Sequence, residues 1–193
     1  MGKVVVTEFV SLDGVMEDPG GAESFEHGGW TFKFEQGPEG VQFKLDETLA
    51  ADALLLGRVT YEGFAAAWPS MAGDEAGFAD KMNGMPKYVM STTLDKAEWN
   101  NSTVIRGNVA DEVSGLKQRL GGDILVAGSR KLIQTLMEHD LVDEYRLMVF
   151  PIVLGSGKRL FEEGSKTTTL RLVGTKPVGP DGVVILTYEP ARA

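Results

Sequence analysis

The sequence predicts an α/β fold: a three-layer α/β/α sandwich whose mostly parallel sheet ends in a C-terminal antiparallel hairpin. Short apolar segments typical of buried strands alternate along the chain with segments whose apolar residues recur at helical spacing. The last two strand-like segments instead flank a Gly-Pro-Asp-Gly turn at 179–182, which is typical of a hairpin. The 193 residues contain no repeat or linker, so we expect one domain over residues 1–193.

The first half of the chain contains signals for three strands and three helices. A β-branched and aromatic run at residues 3–10 predicts the first strand. The spacing of Val41, Leu45 and Leu49 predicts a helix at residues 38–51. The other elements expected in this half are strands at 53–56 and 87–91 and helices at 59–67 and 74–83.

The second half continues this alternation and then changes to strands alone. Val109, Val113, Leu116 and Leu120 form the apolar stripe of a helix that a pair of glycines ends. The remaining elements expected are strands at 103–106, 124–127, 144–153, 169–175 and 183–189 and a helix at 129–138. Strands that alternate with helices predict a parallel sheet covered on both faces, and the last two strands add an antiparallel edge.

Charge and composition exclude several classes of protein. Nineteen Lys and Arg against 28 Asp and Glu give a net charge of −9, which argues against nucleic-acid and anionic-membrane surfaces. The chain has no cysteine and two histidines, so we expect no disulfide, iron–sulfur cluster or transition-metal site. The first residues lack a signal-peptide pattern and no apolar run reaches the ~20 residues of a membrane span, so we expect a cytoplasmic protein.

Two strand-to-helix junctions carry the clearest chemical signal. Each combines a glycine, a cation and a hydroxyl: Gly57, Arg58 and Thr60 at the first, and Gly128, Ser129 and Arg130 at the second. A helix N-terminus offers free N–H groups, glycine lets the backbone approach a ligand, and arginine neutralises an anion. The junctions therefore predict a site for the phosphates of a dinucleotide, with tight turns and solvated cations as the alternative.

Five short motifs span nearly the whole chain. Gly-Arg-Val-Thr-Tyr-Glu at 57–62 resembles the cofactor motif of dihydrofolate reductases. Ser-Leu-Asp-Gly at 11–14 resembles the riboflavin-biosynthesis reductase domain, the C-terminal half of the bifunctional deaminase–reductase. The other three motifs fit that domain's closing pattern: Val-Ala-Gly-Ser at 126–129, Leu-Val-Asp-Glu at 141–144 and Pro-Ile-Val-Leu-Gly-Ser-Gly at 151–157. The sequence thus resembles a stand-alone member of the dihydrofolate reductase-like family.

The resemblance implies an NADPH-dependent oxidoreductase and gives residues of these motifs a cofactor role. It places Gly57, Arg58 and Thr60 at the adenosine and pyrophosphate side of NADPH, Ser91 and Thr92 at its 2′-phosphate, and Gly128, Ser129 and Arg130 around the pyrophosphate. It also places Asp13 and Gly14 beside the nicotinamide, with Asp13 as the candidate catalytic residue.

On the substrate side the sequence departs from dihydrofolate reductase. That enzyme's acidic residue early in the first helix has no counterpart, because the corresponding residues are Gly40, Val41 and Gln42. The resemblance therefore favours a small heterocycle of the pyrimidine or pterin type, reduced as by 5-amino-6-(5-phosphoribosylamino)uracil reductase. Candidate pocket residues are Gln42, Trp30 and Phe64, and for the two aromatics the alternative is packing in the core.

A long loop at residues 15–37 combines glycines with aromatic residues. Loops of this length in a compact domain are usually functional or disordered. Flexible glycines beside aromatics are expected in a segment that closes over a ligand and excludes water. This loop is therefore expected to cover the small-molecule substrate.

Two expectations concern function and assembly. The competing function is a non-catalytic dinucleotide-binding or sensor module with the same cleft but no productive substrate pocket. Relatives in the riboflavin-reductase branch commonly pair, and the strand at 144–153 with the terminal hairpin offers edges that need cover, so we expect a homodimer.

Overall fold

The computed structural model describes residues 1–71, 73 and 76–191. Its strands form one sheet and are β1 (Lys3–Ser11), β2 (Ala53–Gly57), β3 (Lys87–Met90), β4 (Ser102–Ile105), β5 (Asp123–Val126), β6 (Glu144–Phe150), β7 (Leu170–Val178) and β8 (Val183–Pro190). The α-helices are α1 (Gly37–Ala50), α2 (Arg58–Ala67), α3 (Phe78–Gly84), α4 (Val109–Arg119) and α5 (Arg130–Glu138). Two 3₁₀ helices cover Trp30–Lys33 and Trp68–Met71.

The strand order across the sheet is β4-β3-β2-β5-β1-β6-β8-β7. The first six strands in this order run parallel to one another, whereas β8 pairs antiparallel with both β6 and β7. Parallel neighbours require crossover connections, and helices provide these except between β3 and β4, where residues 91–101 cross without a helix. The predicted α/β class with a C-terminal antiparallel hairpin is therefore confirmed.

Helices cover both faces of this sheet. On one face, α4 and α5 pack through Leu116 and Ile133 on even-numbered residues of β1 such as Val6. On the other face, α2 and α3 pack on β2, β3 and β5, and this group is called the α2 core. Beside it, Trp30 of the first 3₁₀ helix and Phe43 of α1 cover β6 and β8, and this group is called the α1 core. In the described part of the chain, no helix combines the length and the apolarity that crossing a membrane requires.

Three predicted boundaries are corrected. Strand β6 ends at Phe150 and not at residue 153, because Pro151 has no N–H to donate to the sheet. Helix α3 begins at Phe78, since Gly77 has a left-handed backbone (φ 76°); Asp74, where the helix was expected to start, lies outside the described residues. Strand β7 continues to Val178, because the four-residue turn at 179–182 pairs Val178 directly with Val183.

Helix α1 lies where the spacing of Val41, Leu45 and Leu49 predicts, but it turns a polar face to the sheet. Val41 is 64% exposed and Leu49 is 44% exposed, whereas Glu47 is buried. The reason is a polar partner on the strand beneath, since the Thr7 hydroxyl donates a 2.8 Å hydrogen bond to Glu47 Oε1. The spacing therefore locates the helix without identifying its buried side.

The long loop before α1 is tied to the rest of the molecule. The buried Asp18 carboxylate accepts hydrogen bonds from the Ala22 and Glu23 amides, at 2.6 and 3.0 Å. The Trp30 indole N–H donates to the Glu17 carbonyl at 2.9 Å. The loop is thus anchored at several points along its length, and its closure over a ligand stays a prediction.

Candidate functional site

Strands β2 and β5 lie side by side, and their chain connections leave in opposite directions. Helix α2 follows β2 on one face of the sheet, and α5 follows β5 on the other. In open α/β sheets, ligands bind in the crevice at such a point, outside the carboxyl ends of the strands. The candidate site is therefore the crevice between these two junctions.

The two junctions are in direct contact. The Gly57 amide donates a 2.7 Å hydrogen bond to Ser129 Oγ. A Cβ on Gly128 would lie 2.9 Å from Thr60 Cγ2, and Gly128 has a left-handed backbone with φ +67°. Glycine at 128 is therefore required both by the backbone and by the close approach of α2. The structure thus brings together five of the residues that the sequence predicts at the dinucleotide phosphates. They are Gly57, Thr60, Gly128, Ser129 and, on the first turn of α2, Arg58.

Both helix N-termini at the crevice are free of capping side chains within the described residues. Gly57 is the N-cap of α2 and Ser129 is the N-cap of α5. Glycine has no side chain to cap with, and the Ser129 side chain accepts no hydrogen bond from the first-turn amides of α5. The first-turn N–H groups of an uncapped helix carry a partial positive charge and bind anions. This geometry suits a pyrophosphate.

The two arginines of the junctions form ion pairs with nearby carboxylates. Exposed Arg58 pairs with Glu62 one turn later on α2, at 3.1 Å. Arg130, the first residue of α5, pairs with Glu162. Because solvent-exposed pairs are weak, the Arg58 guanidinium can exchange its carboxylate for a phosphate at little cost.

Beside Arg130 lies a cavity of about 300 Å³ with a strongly charged lining. Its charged residues are Glu17, Arg130, Lys158, Arg159, Glu162 and Glu163. Three cations and three carboxylates line it, so it carries little net charge. In the described part of the chain, no group of three or more His, Asp or Glu side chains is arranged to hold a metal ion.

Ser91 and Thr92 follow β3 at the same edge of the sheet. The Ser91 hydroxyl accepts hydrogen bonds from the Thr93 and Leu94 amides, at 3.2 and 3.0 Å, which folds this segment into a tight turn. Arg106, which sequence reasoning missed, donates to the carbonyls of Thr92 at 3.4 Å and Leu94 at 2.6 Å. Arg106 follows β4, which pairs in parallel with β3. Parallel pairing of these two strands brings the residues after them together, and this was the signal that could have indicated Arg106.

Glu8 is a second residue that sequence reasoning missed. It lies in the middle of β1, is 7% exposed, and its Oε1 accepts a 2.5 Å hydrogen bond from the Gly128 amide. Burial raises the pKa of Glu8 to about 8 against the opposing effects of the Gly128 hydrogen bond and Lys44. The available signal was a single acidic residue inside an otherwise apolar strand.

Asp13 fixes the turn that follows β1 to the loop that follows β6. Its carboxylate accepts hydrogen bonds from the Ser11 hydroxyl (2.7 Å) and from the Leu154 and Gly155 amides (3.1 and 2.9 Å). Partial burial would raise the pKa of Asp13, but the hydrogen bonds from Ser11, Leu154 and Gly155 lower it to about 2. Asp13 is therefore an ionised anchor at neutral pH. Its place beside a nicotinamide, and that of Gly14 in the same turn (φ +82°), stay predictions.

The three candidate pocket residues lie in different environments. Trp30 is 0% exposed and contacts Phe150 edge-on in the α1 core, with ring centroids 5.4 Å apart. Phe64 packs against Trp68 at the margin of the α2 core. Gln42 is exposed and donates a 2.7 Å hydrogen bond to Asp46 on the same helix. The structure does not group these three residues around one cavity, and both aromatics have the core contacts of the alternative interpretation.

A polar network separates the α1 core from the α2 core on this face of the sheet. Lys44 donates to Thr7 Oγ1 at 2.7 Å and pairs with Glu47, and Arg146 NH1 lies 3.9 Å from Glu47 Oε2. The Lys44 ammonium also lies 5.1 Å from the centroid of the Phe9 ring. Lys44 is thus a cation on α1, the helix whose only first-turn carboxylate, Glu39, precedes the positions Gly40, Val41 and Gln42.

Comparisons with known proteins agree with this architecture. The model of the RibD C-terminal domain family matches residues 2–184. The uncharacterized protein YwjB of Bacillus subtilis (strain 168) is 33% identical over 177 residues, a match that covers 92% of each chain.

Two solved structures show the same fold. One is a putative riboflavin biosynthesis protein from Shewanella sp. PV-4 (TM-score 0.73, 22% identity, 98% of this chain and 99% of that chain covered). The other is dihydrofolate reductase from Enterococcus faecalis complexed with NADP(H) (TM-score 0.63, 16% identity, 98% and 97% covered). The family model covers nearly the whole sequence, so the chain belongs to the RibD C-terminal domain family.

Proposed function

We propose that this protein is an NADPH-dependent reductase that transfers hydride to a small heterocyclic substrate of the pyrimidine or pterin type. The observation that carries the proposal is the crevice in which the Gly57 and Ser129 junctions touch and present two uncapped helix N-termini. Membership of the RibD C-terminal domain family supports a reductase. The shared fold with a dihydrofolate reductase complexed with NADP(H) supports a nicotinamide cofactor.

The residues at the crevice fit the anionic parts of NADPH. The first-turn amides of α2 and α5, together with Thr60, would hold the pyrophosphate. Thr92 and Arg106 would hold the 2′-phosphate, because a guanidinium forms strong charge-assisted bonds to phosphate. NADPH supplies the hydride when bound, so the chain's own task is to bind, orient and exclude water.

The proposal assigns the substrate side to the polar network under α1. Lys44 has three N–H donors, and Thr7 and Glu47 account for two partners. The remaining donor can hydrogen-bond a ring nitrogen or carbonyl oxygen of a heterocycle and supply the proton that accompanies hydride addition. Glu47 holds the ammonium in place through its ion pair.

Calorimetry with NADPH and NADH tests the cofactor half of the proposal. We expect NADPH to bind at micromolar concentration and NADH at least ~10-fold more weakly, a difference of ~1.4 kcal/mol. Gly128→Ala should abolish binding, because its Cβ would lie 2.9 Å from Thr60 and its backbone is left-handed. Gly63→Ala is the matched control, since a Cβ there meets nothing within 4 Å. Wild-type protein that binds neither nucleotide at millimolar concentration would refute the cofactor.

Turnover tests the other half. We expect the protein to oxidise NADPH in the presence of at least one member of a panel of pyrimidines, pterins and aldehydes. The loss of NADPH absorbance measures this oxidation. Tight NADPH binding without turnover of any of them would favour a non-catalytic dinucleotide-binding module.

A cytoplasmic homodimer is part of the same proposal. The exposed Val41 and Leu49 of α1, and Leu172 of the edge strand β7, are apolar surfaces that a second copy would cover. Light scattering at micromolar concentration should return twice the chain mass of 20.9 kDa. A mass near 20.9 kDa would instead indicate a monomer.

A further inference from the structure

Glu8 lies beneath the crevice, on the α5 face of the sheet. The side chains of β1 alternate between the faces, and Val6 and Val10, on either side of Glu8, belong to the core under α4 and α5. Glu8 therefore lies on that face of the sheet. It is also the one acidic side chain of β1, a strand that is otherwise mainly apolar. Its Oε1 accepts a 2.5 Å hydrogen bond from the amide of Gly128.

We infer that Glu8 is a positioning residue of the cofactor site: its uncharged carboxyl group holds the Gly128–Ser129 turn in the shape that receives an anion, and its ionisation weakens anion binding there. The inference rests on the proposed function, because it takes the anion to be the pyrophosphate of a dinucleotide.

A chain of hydrogen bonds runs from Glu8 to both junctions. Glu8 accepts from the Gly128 amide, Ser129 follows in a left-handed conformation with φ 68°, and Ser129 Oγ accepts from the Gly57 amide. Two successive residues with positive φ are unusual for an L-amino acid such as serine, and they persist only where neighbours hold them. Glu8 supplies that support from β1, without itself reaching the ligand.

The surroundings of Glu8 determine its charge. From α1, on the other face of the sheet, Lys44 favours the ionised form and Glu47 opposes it. From α5, Arg130 is already paired with Glu162. Leu147, which pairs with Glu8 from β6, is apolar, and so are Val113 and Leu116, the buried α4 residues of the core on this face. Burial dominates these effects and raises the pKa of Glu8 to about 8, so the group is mostly uncharged at pH 7 and mostly charged at pH 9.

The charge changes what an anion meets in the crevice. At pH 7 the Gly128–Ser129 turn rests on a neutral acid and presents the positive end of α5. At pH 9 a buried negative charge lies directly behind the same turn and opposes a pyrophosphate through a medium of low polarity. The charge of the NADPH 2′-phosphate changes little between pH 7 and pH 9, because a phosphate monoester loses its second proton with a pKa of ~6.

Calorimetric titration of NADPH at pH 7 and pH 9 tests the inference. The wild-type dissociation constant should rise several-fold over this interval, up to the ~10-fold limit that the ionisation of one group with this pKa sets. Glu8→Gln keeps a carbonyl acceptor for the Gly128 amide and has no proton to lose, so its dissociation constant should match the wild type at pH 7 within ~3-fold and stay constant to pH 9. Glu144→Gln removes an equally buried carboxyl at the opposite end of the sheet and should keep the wild-type pH dependence. Parallel behaviour of wild type and Glu8→Gln would overturn the inference.

A second measurement needs no nucleotide. In ¹⁵N-labelled protein, the Gly128 amide shift should titrate with a midpoint near pH 8, and Glu8→Gln should abolish this change. If Glu8→Gln does not fold, the carboxyl ¹³C shift of Glu8 in the wild type gives the same midpoint. A Gly128 amide that does not titrate between pH 7 and pH 9 would overturn the inference. NADPH that binds at neither pH, with a normal Gly128 titration, would refute the proposed function and leave the charge change of Glu8 established.

Discussion

The Gly57 amide donates its hydrogen to the Ser129 hydroxyl at 2.7 Å, although 72 positions separate the two residues in the chain. This bond ties the start of α2 to the start of α5 on opposite faces of the sheet. Since the amide belongs to one predicted phosphate-binding junction and the hydroxyl to the other, the bond joins the two junctions directly. The shape of the crevice therefore depends on a serine side chain as well as on the glycines.

Ser129→Ala should weaken this link between the junctions. Loss of the acceptor leaves the Gly57 amide without its partner, and we expect a stability loss of about 1–2 kcal/mol in chemical denaturation. The dissociation constant for NADPH should rise about 5-fold by calorimetry. Ser114→Ala is the control, because Ser114 donates a comparable 2.6 Å hydrogen bond within α4, far from the crevice, and its loss should leave NADPH affinity unchanged. An NADPH affinity for Ser129→Ala within 2-fold of the wild type would contradict this role.

Arg106→Ala should separate the two nicotinamide dinucleotides. The Arg106 guanidinium donates to the carbonyls of Leu94 at 2.6 Å and Asp95 at 3.1 Å, so it lies against the turn that contains Thr92. A lost charge-assisted bond to the 2′-phosphate predicts an NADPH dissociation constant ~10-fold higher and an NADH value within ~3-fold of the wild type.

The comparison needs a control for lost positive charge. Arg119→Ala, at the end of α4, should change neither constant. Equal weakening of NADPH and NADH by Arg106→Ala would show that Arg106 only holds the turn.

The two junctions could be predicted from sequence because their signals are local. A glycine after an apolar strand and before a helical stripe marks a strand-to-helix turn wherever it occurs. Parallel strands then bring all such turns to one edge of the sheet. This reasoning placed Gly57 and Gly128 at the same end of the molecule, and the order of the motifs indicated the family.

The roles of Glu8 and α1 could not be predicted in the same way, because they depend on tertiary neighbours. Nothing near Glu8 in sequence indicates that its partner is the Gly128 amide, 120 positions later. The apolar spacing in α1 indicates the wrong face, since the buried side of that helix is set by Thr7 and Arg146 on the strands below. Polar burial is decided by a partner that periodicity does not reveal.

Trp30→Ala tests whether the tryptophan of the long loop is a core residue. Its indole is 0% exposed, contacts Phe150 edge-on and donates to the Glu17 carbonyl. Loss of a fully buried tryptophan costs about 3–5 kcal/mol, which lowers the melting temperature by roughly 10 °C. Because Trp30 is not part of the crevice, NADPH affinity should stay within ~3-fold of the wild type.

The exposed aromatic of the same loop is the control for Trp30. Phe32→Ala removes a side chain that is 79% exposed and should leave the melting temperature within ~1 °C. A Trp30→Ala variant as stable as the wild type, with weakened turnover of a substrate, would instead place the indole in the substrate pocket.

Glu8→Gln should change how stability depends on pH. Burial raises the pKa of Glu8 from 4.5 in the unfolded chain to about 8 in the folded one. Between these pH values the folded protein holds a proton on Glu8 that the unfolded chain has released. The free energy of unfolding of the wild type therefore falls as pH rises from 4.5 to 8, and above pH 8 the contribution of Glu8 no longer changes. Glutamine has no proton to lose, so this part of the slope disappears.

The variant and the wild type should therefore differ by little at pH 5 and by much more at pH 8. We expect Glu8→Gln to be more stable than the wild type at pH 8 by on the order of 4 kcal/mol, measured by chemical denaturation at both values. The glutamine side chain keeps the shape of the neutral acid and its carbonyl can still accept from Gly128, so packing and the hydrogen bond are preserved. Denaturation midpoints that differ by the same amount at pH 5 and pH 8 would show that Glu8 carries the same charge in the folded and unfolded states. A gain at pH 8 alone would show that the chain tolerates a less stable fold in order to keep an ionisable acid beneath the Gly128 turn.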